Sequence, residues 1–214
     1  MKKNVKFAFY VSGNATRLNK YLSIYEDHME IQCVVHDGAE SSELKDVLLK
    51  KKISYFHVDL GTGSMEERSQ RLSGTLLSQL ASHSVDYCFC FGSKILRGEL
   101  LERFSERIIN FHPSLLPAFP GVKSIDQALE YGAIMLGNTA HIIDEGVDTG
   151  AIIMQSMIEA SRFDGYDSVL DLQIPMLHQI SKWISDGRFQ VCGRNVIIEN
   201  AITDNGRFIP ALEH

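Results

Sequence analysis

The chain predicts an α/β fold: a mostly parallel twisted sheet flanked by helices, closed by a C-terminal hairpin and a long helix. Short apolar runs alternate with amphipathic segments of helical period through the first half, the signature of βαβ units. After Pro120-Gly121 that alternation gives way to two longer apolar runs separated by an acidic loop, which read as an antiparallel pair. A periodic stretch with five apolar residues on one face, Val169, Leu172, Met176, Ile180 and Trp183, then predicts a helix over 167–185.

Each element has its own warrant. Val5 to Val11 is a buried strand that stops at Ser12-Gly13-Asn14, a turn triplet. Leu18, Leu22 and Tyr25 follow at helical spacing. Ile31 to Val35 is a second strand, ended by His36-Asp37-Gly38. Ser41 or Ser42 caps a helix running to Lys51 with Leu44, Val47 and Leu48 on one face. Ser54 to Val58 is a third strand, and Met65 to His83 a helix with Leu72, Leu76 and Leu80 in register. Tyr87 to Phe91 and Ile108 to His112 are the next strands. Ser124 to Tyr131 is a helix, and Leu136 to Ile143 with Ala151 to Ile158 form the hairpin.

The 214 residues with 44% hydrophobic and 22% charged content are those of a globular protein able to bury a large core without staples. A net charge of −6 argues against a nucleic-acid-binding surface, yet leaves room for local cations to hold an anionic substrate. None of the four cysteines, Cys33, Cys88, Cys90 and Cys192, has metal-ligand spacing, so free thiols in a cytoplasmic protein are expected. No apolar stretch is long enough for a membrane span, and the N-terminal run is too short for a signal peptide. Residues 212–214 read as a tag remnant outside a single domain spanning 1–211.

The segment Asn110-Phe111-His112-Pro113-Ser114-Leu115-Leu116-Pro117 carries the chemistry. Asn110 and His112 are two apart and share a face of their strand. Pro113 cannot extend a ladder, so His112 stands at the strand's carboxyl end, where open α/β sheets hold their reacting groups. Imidazole suits proton transfer near neutral pH, and an asparagine amide can donate to an oxyanion. Asp148, in the acidic loop Asp144-Glu145-Gly146-Val147-Asp148-Thr149-Gly150, is a candidate partner for His112. The same carboxylates also fit a merely solvated loop. Ser12-Gly13-Asn14-Ala15-Thr16 precedes a helix and offers N–H groups to an anion, without a full glycine fingerprint.

These stretches together resemble the folate-dependent formyltransferases. The Ser12-Gly13-Asn14 turn, Asn110 to Pro117 with Phe119-Pro120-Gly121, Gln127-Ala128-Leu129 with Gly132, Gly137-Asn138-Thr139-Ala140-His141 with Asp144 to Gly150, and Trp183 to Arg188 with Glu199-Asn200-Ala201 match in order. The resemblance covers essentially the whole chain and is nearest to the branch that formylates glycinamide ribonucleotide. It implies a Rossmann-like formyltransferase fold, with a phosphate-binding half over 1–107 and a catalytic, folate-binding half over 108–211. It also implies a formyl group moved from the cosubstrate 10-formyltetrahydrofolate to a primary amine by direct attack through a tetrahedral intermediate, with no metal. Asn110, His112 and Asp148 would be catalytic. Lys94, Ile95, Leu96, His141, Ile142, Ile143, Asp144 and Glu145 would hold the folate, the pterin largely by backbone groups. Ser12, Gly13, Asn14, Ala15, Thr16, Arg17 and Gln173 would hold the acceptor.

The acceptor half departs from the family pattern. Ala15 and Arg17 stand in a loop that reads Gly-Asn-Gly-Ser-Asn in the family, His36-Asp37 replaces a Ser-Asn pair, and the family's glutamine and glutamate contacts fall at Leu170 and Gln173. Ala15 restricts the backbone, and Arg17 adds a fork suited to a phosphate. These departures favour an amino sugar carried on a nucleotide as acceptor, with glycinamide ribonucleotide as the alternative and a formyltetrahydrofolate hydrolase or non-catalytic folate binder beyond it. The expected protein is a cytoplasmic monomer or homodimer acting on a phosphate- or nucleotide-bearing amine.

Overall fold

The computed structural model describes residues 4–25, 29–202 and 206–213. The chain forms two compact units, Asn4–Asn110 and Phe111–His214.

In the first unit, β1 (Lys6–Val11), β2 (Glu30–His36), β3 (Ser54–His57), β4 (Tyr87–Phe91) and the start of β5 (Ile108–His112) alternate with α1 (Thr16–Ile24), α2 (Ser42–Lys50), α3 (Met65–Ser82) and a short α4 (Glu99–Arg103). The strands are parallel and ordered β3-β2-β1-β4-β5. The strand order reverses between β1 and β4, so a crevice opens beyond their carboxyl ends, where ligands of open α/β sheets bind. Its interior is aromatic: Phe7 and Phe89 stack with centroids 5.5 Å apart, and Phe9 lies 5.7 Å from Phe89. Ser41 rather than Ser42 caps α2, its Oγ accepting from the Leu44 N–H at 3.2 Å. At α3, Ser64 and Glu67 form a reciprocal capping box.

In the second unit, α5 (Ser124–Tyr131) precedes an antiparallel pair, β6 (Met135–Ile142) and β7 (Ile152–Glu159). The expected helix over 167–185 is two pieces, α6 (Asp167–Leu170) and α7 (Gln173–Ser185). Pro175 is the reason: it has no N–H to give the Asp171 carbonyl, and the restart places it in the first turn of α7, where that bond is dispensable. Helix α7 packs on β6 and β7, burying Met176, Leu177, Ile180 and Trp183 completely.

Three short strands follow, β8 (Phe189–Cys192), β9 (Asn195–Ile198) and β10 (Phe208–Ile209); the family's last strand, matched at Glu199-Asn200-Ala201, falls just before those residues as β9. The β8–β9 hairpin turns at Gly193-Arg194, with Gly193 at φ 63°, a conformation glycine adopts without strain. Glu213, expected to lie outside the fold, is instead tied in. Both its oxygens face the Arg188 guanidinium, and one accepts from the Trp183 indole at 3.2 Å. Among the described residues no helix is long and apolar enough to cross a membrane.

Candidate active site

The loops of the first unit meet at the switch crevice. Ser12 leaves β1 and its hydroxyl accepts from the Ser93 N–H, just after β4, at 3.2 Å. Tyr10 lies beneath them; a Cβ added to Gly92 would fall 2.0 Å from its ring, so only glycine lets the second loop pass. The Tyr10 hydroxyl donates to Asp37 at 2.9 Å and lies 3.2 Å from Ser12 Oγ. Burial first, and the nearby Asp37 carboxylate second, push the Tyr10 phenol far up, so it stays a donor. Lys94 and Ile95 are exposed beside this crevice, while the Leu96 side chain is core.

Between β1 and α1 the backbone crosses to positive φ at Gly13 (60°) and again at Ala15 (50°). The Ala15 N–H is used inside this turn, donating to the Ser12 carbonyl at 3.3 Å. Helix α1 has no side-chain cap at its N-terminus. Gly13, Asn14 and Thr16 are exposed. Ala15 therefore adopts the left-handed backbone its glycine counterpart would take, so this departure strains the loop without rerouting it. Arg17 is not a free fork. Its Nη2 donates to the Phe91 carbonyl at 3.2 Å, its guanidinium lies 4.8 Å from the Phe91 ring, and burial pushes its pKa down to about 10. It remains charged at neutral pH.

Asn110 ends the first unit's part of β5, paired with Cys90, which in turn pairs with Tyr10. His112 follows two residues on, buried at the strand's end. In the second unit, the β6–β7 hairpin returns Asp148 to it. His112 Nδ1 lies 3.3 Å from Asp148 Oδ2, and His141 Nε2 lies 3.5 Å from Asp148 Oδ1. A register shift between Ala140 and His141 marks a bulge that re-aims His141. Gly121 N–H donates to Asp148 Oδ2 at 2.7 Å, while His112 Nε2 faces the Phe119 carbonyl at 2.9 Å. The signature turn thus grips both members of the pair. Phe119 and Asp148 both have φ 54°, left-handed backbone that side chains other than glycine seldom adopt.

Burial raises the Asp148 carboxyl pKa. The His141 bond, the Gly121 N–H and the charges of His112 and His141 outweigh that effect and hold it below the usual carboxylate range. Both nitrogens of His112 face oxygens, and so do both of His141, whose Nδ1 lies 2.9 Å from the Ile142 carbonyl. The backbone carbonyls can only accept, so each ring sets one nitrogen against a carbonyl and turns the other to the Asp148 carboxylate.

The loop 143–147 beyond the pair is exposed or half-exposed. Asp144 is used inside it, accepting from the Gly146 N–H at 3.1 Å and the Thr149 hydroxyl at 2.7 Å. Gly150 passes so close that a Cβ would meet the Ile142 carbonyl at 1.9 Å. Glu145 is exposed and Ile142 buried.

Gln173, expected among the acceptor contacts, lies inside. It is fully buried, and its amide donates to Asn138 Oδ1 at 2.7 Å, while Asn138 donates to Ser156 at 3.1 Å and to the Val169 carbonyl at 2.8 Å. It belongs to a buried polar network beneath α7 centred on Asn138. Its position at the restart of the helix, invisible while 167–185 read as one helix, turns it inward.

An α/β sheet with an imidazole–carboxylate cluster at a strand's carboxyl end is a site with groups able to take and give a proton. The formyl transferase family matches residues 5–177, and the chain belongs to that family. It is 30% identical over 203 residues to phosphoribosylglycinamide formyltransferase of Bacillus subtilis, covering 89% of this chain and 96% of that protein. The structure of phosphoribosylglycinamide formyltransferase from Anaplasma phagocytophilum superposes with TM-score 0.77 at 26% identity, over 92% of this chain and 95% of that one. A formyltetrahydrofolate deformylase from Pseudomonas syringae pv. tomato shares the fold, with TM-score 0.76 at 20% identity over 92% of this chain and 67% of that one. The protein is a 10-formyltetrahydrofolate-dependent formyltransferase.

Proposed function

We propose that the protein formylates the amine of glycinamide ribonucleotide. The observation that carries this reading is the likeness to the Bacillus subtilis phosphoribosylglycinamide formyltransferase along 96% of that protein's length. The amino-sugar reading rested on departures in the acceptor half. Two of them have structural explanations: Ala15 keeps the left-handed turn, and Gln173 lies in the core. The relatives support the ribonucleotide alternative instead.

The donor supplies an activated formyl carbon. The amine nitrogen bonds to it, its bond to the folate nitrogen breaks, and the proton lost by the amine balances the one gained by the leaving nitrogen. Asn110 donates to the formyl oxygen as it gains charge, and so does His112 once its Nε2 turns from the Phe119 carbonyl. Asp148 orients the His112 ring and, with His141, provides the place through which the proton passes. The Ser12–Arg17 loop, at the N-terminus of α1, holds the acceptor's phosphate.

The test is formyl transfer from 10-formyltetrahydrofolate to glycinamide ribonucleotide beside a panel of nucleotide-linked amino sugars, with formate release measured when no amine is present. Turnover should be confined to glycinamide ribonucleotide. Preferential turnover of an amino sugar, or formate release as fast as transfer, would sink the reading.

A further inference from the structure

His36 stands where the family pattern has the serine of a Ser-Asn pair, and the reaction gives it no role. It is completely buried at the end of β2, in register with Val11 of β1 on one side and His57 of β3 on the other. Its Nε2 lies 2.7 Å from the Gly13 carbonyl, and its Nδ1 lies 2.9 Å from the Tyr55 hydroxyl. A carbonyl only accepts, so Nε2 carries the proton, and Nδ1 is left to accept from Tyr55. Burial raises the Tyr55 phenol pKa first of all, which keeps it a donor. Gly38 closes the same side: a Cβ there would meet the Gly13 carbonyl at 2.2 Å and the Gly13 nitrogen at 2.7 Å. Gly13 and Asn14 are exposed, and a Cβ built on Gly13 meets nothing within 4 Å.

We infer that His36 is a positioning residue for acceptor binding, which fixes the Gly13–Asn14 peptide so that its N–H faces the acceptor's phosphate. In a planar trans peptide the carbonyl and the following N–H point in opposite directions. Holding the Gly13 carbonyl against His36 therefore turns the Asn14 N–H away from His36. Without that bond the peptide is free to rotate, because Gly13 tolerates many conformations, and the phosphate would have to order it on binding. The relay Tyr55–His36–Gly13 preorganises the loop and does not touch the reacting atoms. The inference rests on the reading that Ser12–Arg17 holds the acceptor's phosphate.

The test compares wild type with His36→Leu, His36→Gln and Tyr55→Phe. Leucine fills the space without a donor, and glutamine replaces the donor. Acceptor KM should rise about tenfold in His36→Leu, the effect of one hydrogen bond, with kcat and donor KM within about twofold. His36→Gln should recover most of the loss, and Tyr55→Phe, which only frees the tautomer, should move acceptor KM the same way by less. Independently of any acceptor, inorganic phosphate titrated into the isotope-labelled protein should shift the Asn14 amide resonance, with weaker affinity in His36→Leu. If glycinamide ribonucleotide is not a substrate but phosphate binding at Asn14 depends on His36, the acceptor assignment falls and the role of His36 stands. No phosphate response at Asn14 in wild type, equal affinity in wild type and His36→Leu, or a loss carried by kcat overturns it. If His36→Leu does not fold, Tyr55→Phe decides by the same criteria.

Discussion

Asp148 is placed by three partners on left-handed backbone, so substitutions there report on chemistry and stability together. His112→Ala and Asp148→Asn should each lower kcat by about 10²-fold or more, measured as formyl transfer on protein shown to be folded. The Asp148 carboxyl lies below the usual carboxylate range in the fold. Its contribution to stability is therefore fully present above about pH 4 and lost as pH falls through that range toward its folded value. Denaturation of Asp148→Asn and wild type across pH should show a difference that shrinks on acidification; a constant difference contradicts the assigned cause. Gln173→Ala should reduce stability by about 1–3 kcal/mol, by leaving a buried Asn138 oxygen without that donor. It should leave acceptor KM unchanged, whereas an acceptor contact would raise it. Ala15→Gly should gain about 0.5–1 kcal/mol in urea unfolding, because the left-handed penalty of about 1–2 kcal/mol exceeds the extra chain entropy of glycine, about 0.5–1 kcal/mol.

At the scale of elements, local rules account for most of what forms. The capping box at Ser64 and Glu67 starts α3, and Ser64→Ala should destabilise the protein by about 1 kcal/mol, read from the unfolding midpoint at unchanged slope. The parallel strands of the first half and the hairpin of the second were legible because their apolar runs are bounded by turn residues. Helix α4 and the strands β8, β9 and β10 were not, β9 entering only through the family resemblance. They have two to five residues each, too few for a period to register. Gly193-Arg194 was the available sign of the β8–β9 hairpin, and Pro175 the sign that the long helix restarts. Both are single-residue effects on backbone geometry, which a count of apolar spacing passes over.

Across the whole molecule, the two units contribute different things. The parallel unit supplies a switch crevice whose loops after β1 and β4 are bonded to one another through Ser12 and Ser93. The second unit supplies the His112–Asp148–His141 cluster and ties its C-terminal segment back through Arg188 and Glu213. Sequence by itself determined the α/β class and the strand end bearing Asn110 and His112, since residue type, prolines and spacing are local properties; the formyl chemistry was legible only through the resemblance to a family. Only the tertiary structure decided which groups meet. It joined Asp148 to two histidines across a hairpin, folded Arg17 onto Phe91, withdrew Gln173 into the core and set His36 against Gly13. Those pairings depend on strand order and register, which bring together residues tens of positions apart, and no pattern read along the chain contains that distance.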